Sequence, residues 1–279
     1  MKRTPRIVAT VAIAAVGSMV FAGCTSTKTG TTASAGGAKD SALKTIQQSG
    51  TVRVADCLSF APFGFKDASG NPDGYDIDIA KAMAKDLGVK LQVVDTSSAN
   101  RIPNLQTNKV DVVICNFTRN GERQKQVEFT DPYVVASEAL LVKKSSSIQK
   151  VQDVVGKTIA TVKGSTNADI LKKLGINVKT QEFDTSQAAI LAVRQGQADA
   201  MIEDSNFLAY QAKLDPTLRV TKEALIPPEY NAFGVQQGDQ IWLNWLNGFL
   251  FRYNASGANK AAYEKWFGVS PQYPLNPQY

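Results

Sequence analysis

From Thr51 onward the chain alternates strand-type and helix-type segments, and this rhythm limits it to α/β architectures. Thr51 to Ala55 reads as a strand. Asp76 is placed to cap a helix running to Leu87, where Ile79, Ala80, Met83, Ala84 and Leu87 form one apolar face and Gly88 is a stop. Val89 to Val94 is a second strand and Ile102 to Thr107 a short helix. Val110 to Cys115 is apolar throughout, as in a strand buried on both faces. Glu138 to Lys143 is another strand. A second set follows: strand Thr158 to Val162, helix Asn167 to Leu174, strand Val178 to Phe183, helix Ser186 to Gln195, strand Asp199 to Glu203 and helix Ser205 to Lys213. Leu218 to Val220 would add an edge strand. This βαβαβ order predicts a parallel sheet with right-handed crossovers. Two apolar helices, Ile241 to Tyr253 and Ala261 to Phe267, would pack back on the first set. Two α/β lobes are therefore expected, the second inserted into the first. Backbone crossings fall near Val135–Glu138 and near Pro227–Gly234. Ligands of open sheets bind at the carboxyl ends of the strands, so two lobes bring two sets of strand ends face to face.

The N-terminal segment reads as an address. Lys2, Arg3 and Arg6 precede an uncharged apolar run, Ile7 to Phe21, which is short for a membrane span. It ends in Phe21-Ala22-Gly23-Cys24, which resembles the bacterial lipoprotein box. Residues 1–23 are thus expected to be a signal peptide, with Cys24 lipidated after cleavage. The Thr-, Ser-, Gly- and Ala-rich stretch to residue 41 would be a flexible tether.

The chain carries 31 Lys and Arg against 25 Asp and Glu, a net charge of +6. Without Lys2, Arg3 and Arg6 it is 28 against 25, or +3, so the basic balance partly belongs to the leader. No Lys/Arg block interleaves with aromatics, so no nucleic-acid partner is expected. The chain has no histidine, which removes the commonest general base and metal ligand. Past Cys24 only Cys57 and Cys115 remain, too few for a thiolate zinc site. Two buried free thiols are the expectation, with a disulfide as the alternative. No metal or cofactor is expected.

Arg123 lies beyond the strand Val110 to Cys115, five positions after the hydroxyl of Thr118. A guanidinium fork at a strand mouth suits a small carboxylate. Read alone, Arg123 is also open to a surface pair with Glu122 or Glu128. Asp204 is open to capping the helix from Ser205, and Thr166 to capping its own helix.

Nine motifs occur in order: Ala61-Pro62-Phe63-Gly64-Phe65, Gly74-Tyr75-Asp76-Ile77-Asp78-Ile79-Ala80, Asn100-Arg101-Ile102-Pro103, Val110-Asp111-Val112-Val113-Ile114, Glu122-Arg123, Phe129-Thr130-Asp131-Pro132-Tyr133, Gly164-Ser165-Thr166, Ala198-Asp199-Ala200 through Asp204, and Lys265-Trp266-Phe267-Gly268. Together they resemble the family 3 extracellular solute-binding proteins, the amino-acid receptors of ABC importers, from about Ser41 to Gly268. The resemblance implies a type II periplasmic-binding-protein fold, with one lobe from residues 42–136 plus 230–279 and the other from 137–229. It also implies an extracytoplasmic monomer that closes on a free amino acid and delivers it to a membrane permease. The carboxylate arginine falls on Arg123, with Thr118 and Asn116 beside it. Ser165 and Thr166 would meet the same carboxylate from the other lobe through hydroxyls and backbone N–H groups. The ammonium acceptor falls on Asp204.

For the ligand's side chain, Phe60 matches a position often aromatic in relatives, with a core role as the alternative. Arg101 resembles the arginine of glutamate/aspartate receptors that reaches a distal carboxylate, with a surface cation as the alternative. Cys57 stands where receptors for basic amino acids carry an acidic residue, which disfavours Lys or Arg as ligand. Glutamate or aspartate is the expectation, followed by other small polar amino acids. The competing function is a dehydratase-type enzyme acting on a cyclic carboxylic acid, with Glu138 or Glu203 as general acid.

Overall fold

The structure is a computed structural model that describes residues 41–275. The expected signal peptide, the expected lipidation site at Cys24 and the expected tether up to residue 40 lie outside the described residues. Helix α1 (Ala42–Ser49) is capped by Ser41 and leads into β1 (Thr51–Asp56). Three short strands, β2 (Ser59–Phe60), β3 (Gly64–Lys66) and β4 (Pro72–Asp73), make a small antiparallel sheet. Then come α2 (Tyr75–Leu87), β5 (Lys90–Asp95), α3 (Arg101–Gln106), β6 (Val112–Val113), α4 (Gly121–Gln124), β7 (Glu128–Ala136) and β8 (Glu138–Lys143). The second set is β9 (Thr158–Val162), α5 (Asn167–Lys173), β10 (Lys179–Phe183), α6 (Ser186–Gln195), β11 (Ala200–Asp204), α7 (Ser205–Leu214) and β12 (Leu218–Val220). The chain returns through β13 (Glu229–Val235) to α8 (Gln240–Ala255) and α9 (Ala258–Phe267).

Two five-stranded sheets share one plan. Their orders are β5-β1-β6-β13-β7 and β10-β9-β11-β8-β12. In each, three strands from βα repeats pair in parallel, as the alternation predicts. Neither sheet is wholly parallel, because β13 runs antiparallel to β6 and β7, and β8 antiparallel to β11 and β12. These extra strands belong to the two crossings. β7 passes through Ser137 directly into β8, which lies in the other sheet. The return path reaches β13, whose Glu229 pairs with Ala136. The two crossings thus run side by side. Both are tied to the second sheet's end, since Ser205 N–H donates to Ser137 O (2.7 Å) and Leu225 N–H to Glu138 O (2.9 Å).

Burial follows this plan. Val52, Val54, Val112 and Val113 of the first sheet are fully buried beneath Ile79, Ala80 and Met83 of α2 and Trp242, Leu246 and Phe249 of α8. In the second sheet Leu140, Ile159 and Ile202 pack with Ile170 and Leu171 of α5. Asp76 is not a helix cap. Gly74 holds that position, with φ 129° and a Cβ position that would fall 2.3 Å from Phe63 O, so only glycine fits. Asp76 instead sits inside the first turn, fully buried, and accepts hydrogen bonds from Asn116 N (3.0 Å) and Tyr133 Oη (2.8 Å). Cys57 and Cys115 are not free thiols but a disulfide with Cα atoms 5.3 Å apart. The parallel pairing of β1 with β6 (Ala55 opposite Val113) brings them together at neighbouring strand ends.

Candidate functional site

The carboxyl ends of both parallel strand sets open on one pocket. Its lining includes all nine residues expected from the sequence: Cys57, Phe60, Arg101, Asn116, Thr118, Arg123, Ser165, Thr166 and Asp204. Ser98, Cys115, Glu138, Asn167 and Glu203 complete it. Cys57 and Cys115 follow β1 and β6, Arg101 opens α3, and Arg123 sits on α4, whose Asn120 caps Arg123 N–H at 2.9 Å. From the opposite sheet, Ser165 and Thr166 follow β9 and Asp204 ends β11.

The surface readings of the arginines do not hold. Arg101 and Arg123 are 4 % and 8 % exposed, and Glu122 pairs with Lys125 instead. Arg123 donates through Nη1 to Thr118 O (2.9 Å) and through Nη2 to Gly164 O (2.9 Å), leaving three N–H groups for an incoming acceptor. Arg101 is more committed. It donates to Ser98 O (Nε, 3.0 Å), Cys115 O and Asn116 O (Nη1, both 3.1 Å), and Gly164 O (Nη2, 3.0 Å). Both guanidiniums lie against Phe117, whose ring centroid is 4.5 Å from Arg101 Cζ and 4.9 Å from Arg123 Cζ. Ring faces attract cations, so Phe117 offsets part of the repulsion between two buried like charges. Burial lowers Arg123 to about 10 and, together with Arg123's charge, presses Arg101 well below its ordinary value.

Asp204 stands at the cap position of α7 but makes no side-chain cap bond. Its Oδ2 accepts from Asn116 Nδ2 (2.7 Å) and Asn231 Nδ2 (3.0 Å), so two polar side chains of the first sheet's end reach across to it. Thr166 likewise sits at a cap position without capping. Ser165 differs from expectation: its N–H and its hydroxyl both donate to Val162 O, at 3.0 and 2.7 Å, so they close the turn rather than face the pocket as donors. Phe60 is 9 % exposed and packed in the aromatic core of the pocket wall. It lines the pocket and stacks on Phe207 of α7, centroids 4.1 Å apart.

Glu138, Glu203 and Asp204 gather with oxygens within 4.8 Å of one another, all buried. Burial, then Asp204's charge, raises Glu203 to about 8 and holds Glu138 well above the carboxylate range. Burial raises Asp204 too, while the bonds from Asn116 and Asn231 pull it back. Amide N–H groups of Asn116 and Asn231 already point at Asp204 Oδ2, so that oxygen is met by hydrogen-bond donors.

Phe117 and Asn231 are the features that sequence reasoning missed, and the disulfide is the alternative it ranked second. Asn231 carried a signal, as the one strongly polar side chain entering the apolar run Ala232-Phe233-Gly234-Val235. Phe117 carried none, because a phenylalanine beside a strand reads as core.

Known proteins resemble this chain in sequence and in fold. The "Glutamine-binding protein" of Geobacillus stearothermophilus is 36% identical over 230 residues, covering 78% of this chain and 87% of that protein. The "L-cystine-binding protein TcyJ" of Escherichia coli (strain K12) is 29% identical over 237 residues, covering 83% and 88%. The crystal structure of the ancestral amino acid-binding protein AncCDT-1, a precursor of cyclohexadienyl dehydratase, superposes with a TM-score of 0.77 at 38% identity, covering 81% of this chain and 99% of that one. The two sheets and paired crossings are those of a type II periplasmic-binding-protein fold. The model of the bacterial extracellular solute-binding proteins, family 3, matches residues 52–269, and the chain belongs to that family.

Proposed function

We propose that the protein is the extracytoplasmic receptor of an ABC importer for a polar amino acid, glutamate or aspartate foremost. A zwitterion buried without partners would cost many kcal/mol, so both its charges need answering. The observation that carries the reading is a buried fork, Arg123, on one side of the pocket and a buried carboxylate, Asp204, on the other. Arg123's three remaining N–H groups, with the Thr118 and Thr166 hydroxyls, would take the α-carboxylate. Asp204, steered by Asn116 and Asn231, would take the ammonium. Because the partners come from opposite sheets, ligand favours the closed arrangement by differential contact. The names of the glutamine- and cystine-binding relatives support an amino-acid ligand.

Two buried guanidiniums, Arg101 and Arg123, line the pocket, which favours a ligand with an extra carboxylate over a cationic one. In this reading Arg101, with one N–H left after its four bonds to backbone carbonyls, would take that second carboxylate. The reading takes residues 42–136 with 230–279 as one lobe and 137–229 as the other, in line with strand membership in the two sheets. It also takes residues 1–23 as a signal peptide, a lipid on Cys24 as the membrane anchor, and a monomeric body that meets the permease. A thermal-shift screen of the common amino acids tests the reading: glutamate or aspartate should raise the melting temperature most. Absence of a shift with any amino acid refutes it.

A second reading has one observation in its favour. A pocket carboxyl held at about 8, Glu203, is a suitable general acid, and a precursor of a dehydratase shares the fold. Turnover of prephenate or arogenate would establish that activity. Binding of amino acids without turnover is expected.

A further inference from the structure

We propose that the Cys57–Cys115 disulfide is a positioning element of the amino-acid site, so that the receptor binds its ligand as the disulfide and loses affinity as the dithiol. The inference rests on the receptor reading above. The bond joins the ends of neighbouring strands β1 and β6 in the pocket wall, where both cysteines are nearly buried. Cys115 begins the segment on which the site is hung. Its carbonyl and that of Asn116 accept from Arg101 Nη1. Asn116 N–H donates to Asp76 Oδ2, Asn116 Nδ2 donates to Asp204 Oδ2, and Thr118 O accepts from Arg123 Nη1. Both arginines and the aspartate expected to touch ligand are therefore referenced to four consecutive residues.

That segment turns sharply at the site. Asn116 has φ 41°, a left-handed conformation that is uncommon outside glycine but that asparagine tolerates best among residues with a side chain. The strand before it, β6, is only two residues long; Ile114 N–H donates to Ala55 O (3.0 Å) on one side of the cysteine and Ala232 N–H to Phe117 O (3.0 Å) on the other. The neighbouring Asp56 carboxyl is buried with neither oxygen hydrogen-bonded, so it does not tie the segment down. The disulfide is the covalent restraint at this point. Its removal lets Cys115 and Asn116 relax, and Asn116 then no longer presents its amide to Asp204.

The test is isothermal titration of the full-length chain with L-glutamate and with L-glutamine, before and after reduction by dithiothreitol. Each reductant molecule supplies two electrons and two protons, leaving two protein thiols and the cyclic disulfide of the reagent. Thiol titration confirms the state. Reduction is expected to weaken binding by about tenfold or more, and the Cys57→Ser/Cys115→Ser double variant to match the reduced chain. Local action predicts a further result: in an Asn116→Ala background the loss on reduction shrinks below about twofold, because the two changes act through one contact. Equal affinity of oxidised and reduced chains overturns the inference. So does an undiminished loss in the Asn116→Ala background, or unfolding of the reduced chain by circular dichroism, either of which makes the bond a general stabiliser. Failure of the oxidised chain to bind either amino acid overturns the polar-ligand reading, and this inference with it.

Discussion

Arg123 and Gly164 meet across the cleft, with Arg123 Nη2 donating to the Gly164 carbonyl oxygen at 2.9 Å. The same oxygen accepts from Arg101 Nη2 at 3.0 Å. One backbone carbonyl from the turn after β9 thus bridges the two guanidiniums of the opposite sheet's end. A ligand carboxylate is a stronger acceptor than a carbonyl, since it is charged and matches the fork. Its arrival adds to a contact geometry that already draws the two sides together.

Loss of Arg123 removes the fork while Asp204 stays. Arg123→Ala is expected to weaken amino-acid binding by about 2–5 kcal/mol, on the order of 30- to several-thousand-fold. Calorimetry on the folded variant measures this, and an unchanged dissociation constant would refute the role.

Arg101 is assigned to the ligand's second carboxylate. Arg101→Ala should therefore cost glutamate at least about tenfold more affinity than glutamine. The ratio is the informative quantity, because the variant also loses four bonds to backbone carbonyls and both ligands suffer from that. Equal losses would remove the acidic assignment.

Gly164 has φ 77°, and a Cβ there would fall 2.5 Å from Ala99 Cα. Gly164→Ala should force the turn back from the opposite side and weaken binding by about tenfold or more, because the new Cβ collides with Ala99 where the two sides meet. Small-angle scattering should show less compaction on adding ligand. Compaction and affinity equal to those of the parent chain would contradict a closing contact at this position.

Glu203 makes stability depend on pH. Its folded value, about 8, lies above the ordinary 4.5 because burial and Asp204 disfavour the ionised form. Between those values the native state holds the proton more tightly than the unfolded chain does. The contribution is fully present below about pH 4.5 and is lost as pH rises towards 8. Glu203→Gln lacks this loss. Its melting temperature relative to the parent should rise by on the order of ten degrees between pH 5 and pH 8, at about 2–4 °C per kcal/mol for a chain of this size. A pH-independent difference would show that Glu203 titrates normally.

Helices with a clear face were legible, such as α2 with Ile79, Ala80, Met83 and Ala84 buried. So were the apolar strands β9 and β11, whose burial is nearly complete. β7 and β13 were not. Thr130, Asp131 and Pro132 interrupt any strand pattern in β7, and the strand survives because β13 pairs with it through register shifts around Ala232. That partner lies about a hundred residues away, so no local window contains the reason for the strand. The nine candidate site residues were legible through their order and spacing, and the structure brings them to one pocket.

What the amino-acid order determined by itself is local: the periodicity that buries one face of a helix, the glycines that end it, and the placing of arginine, threonine and aspartate just past strand ends. These follow from backbone geometry within a few residues. Only the tertiary structure decided which far-apart groups share a dielectric environment. Arg101 and Arg123 came to rest against Phe117, Cys57 within bonding reach of Cys115, and Glu138 beside the neighbours Glu203 and Asp204. The reason is physical. Contact energies and pKa values depend on distance and burial, and pairing strands whose residues lie far apart in the chain sets both.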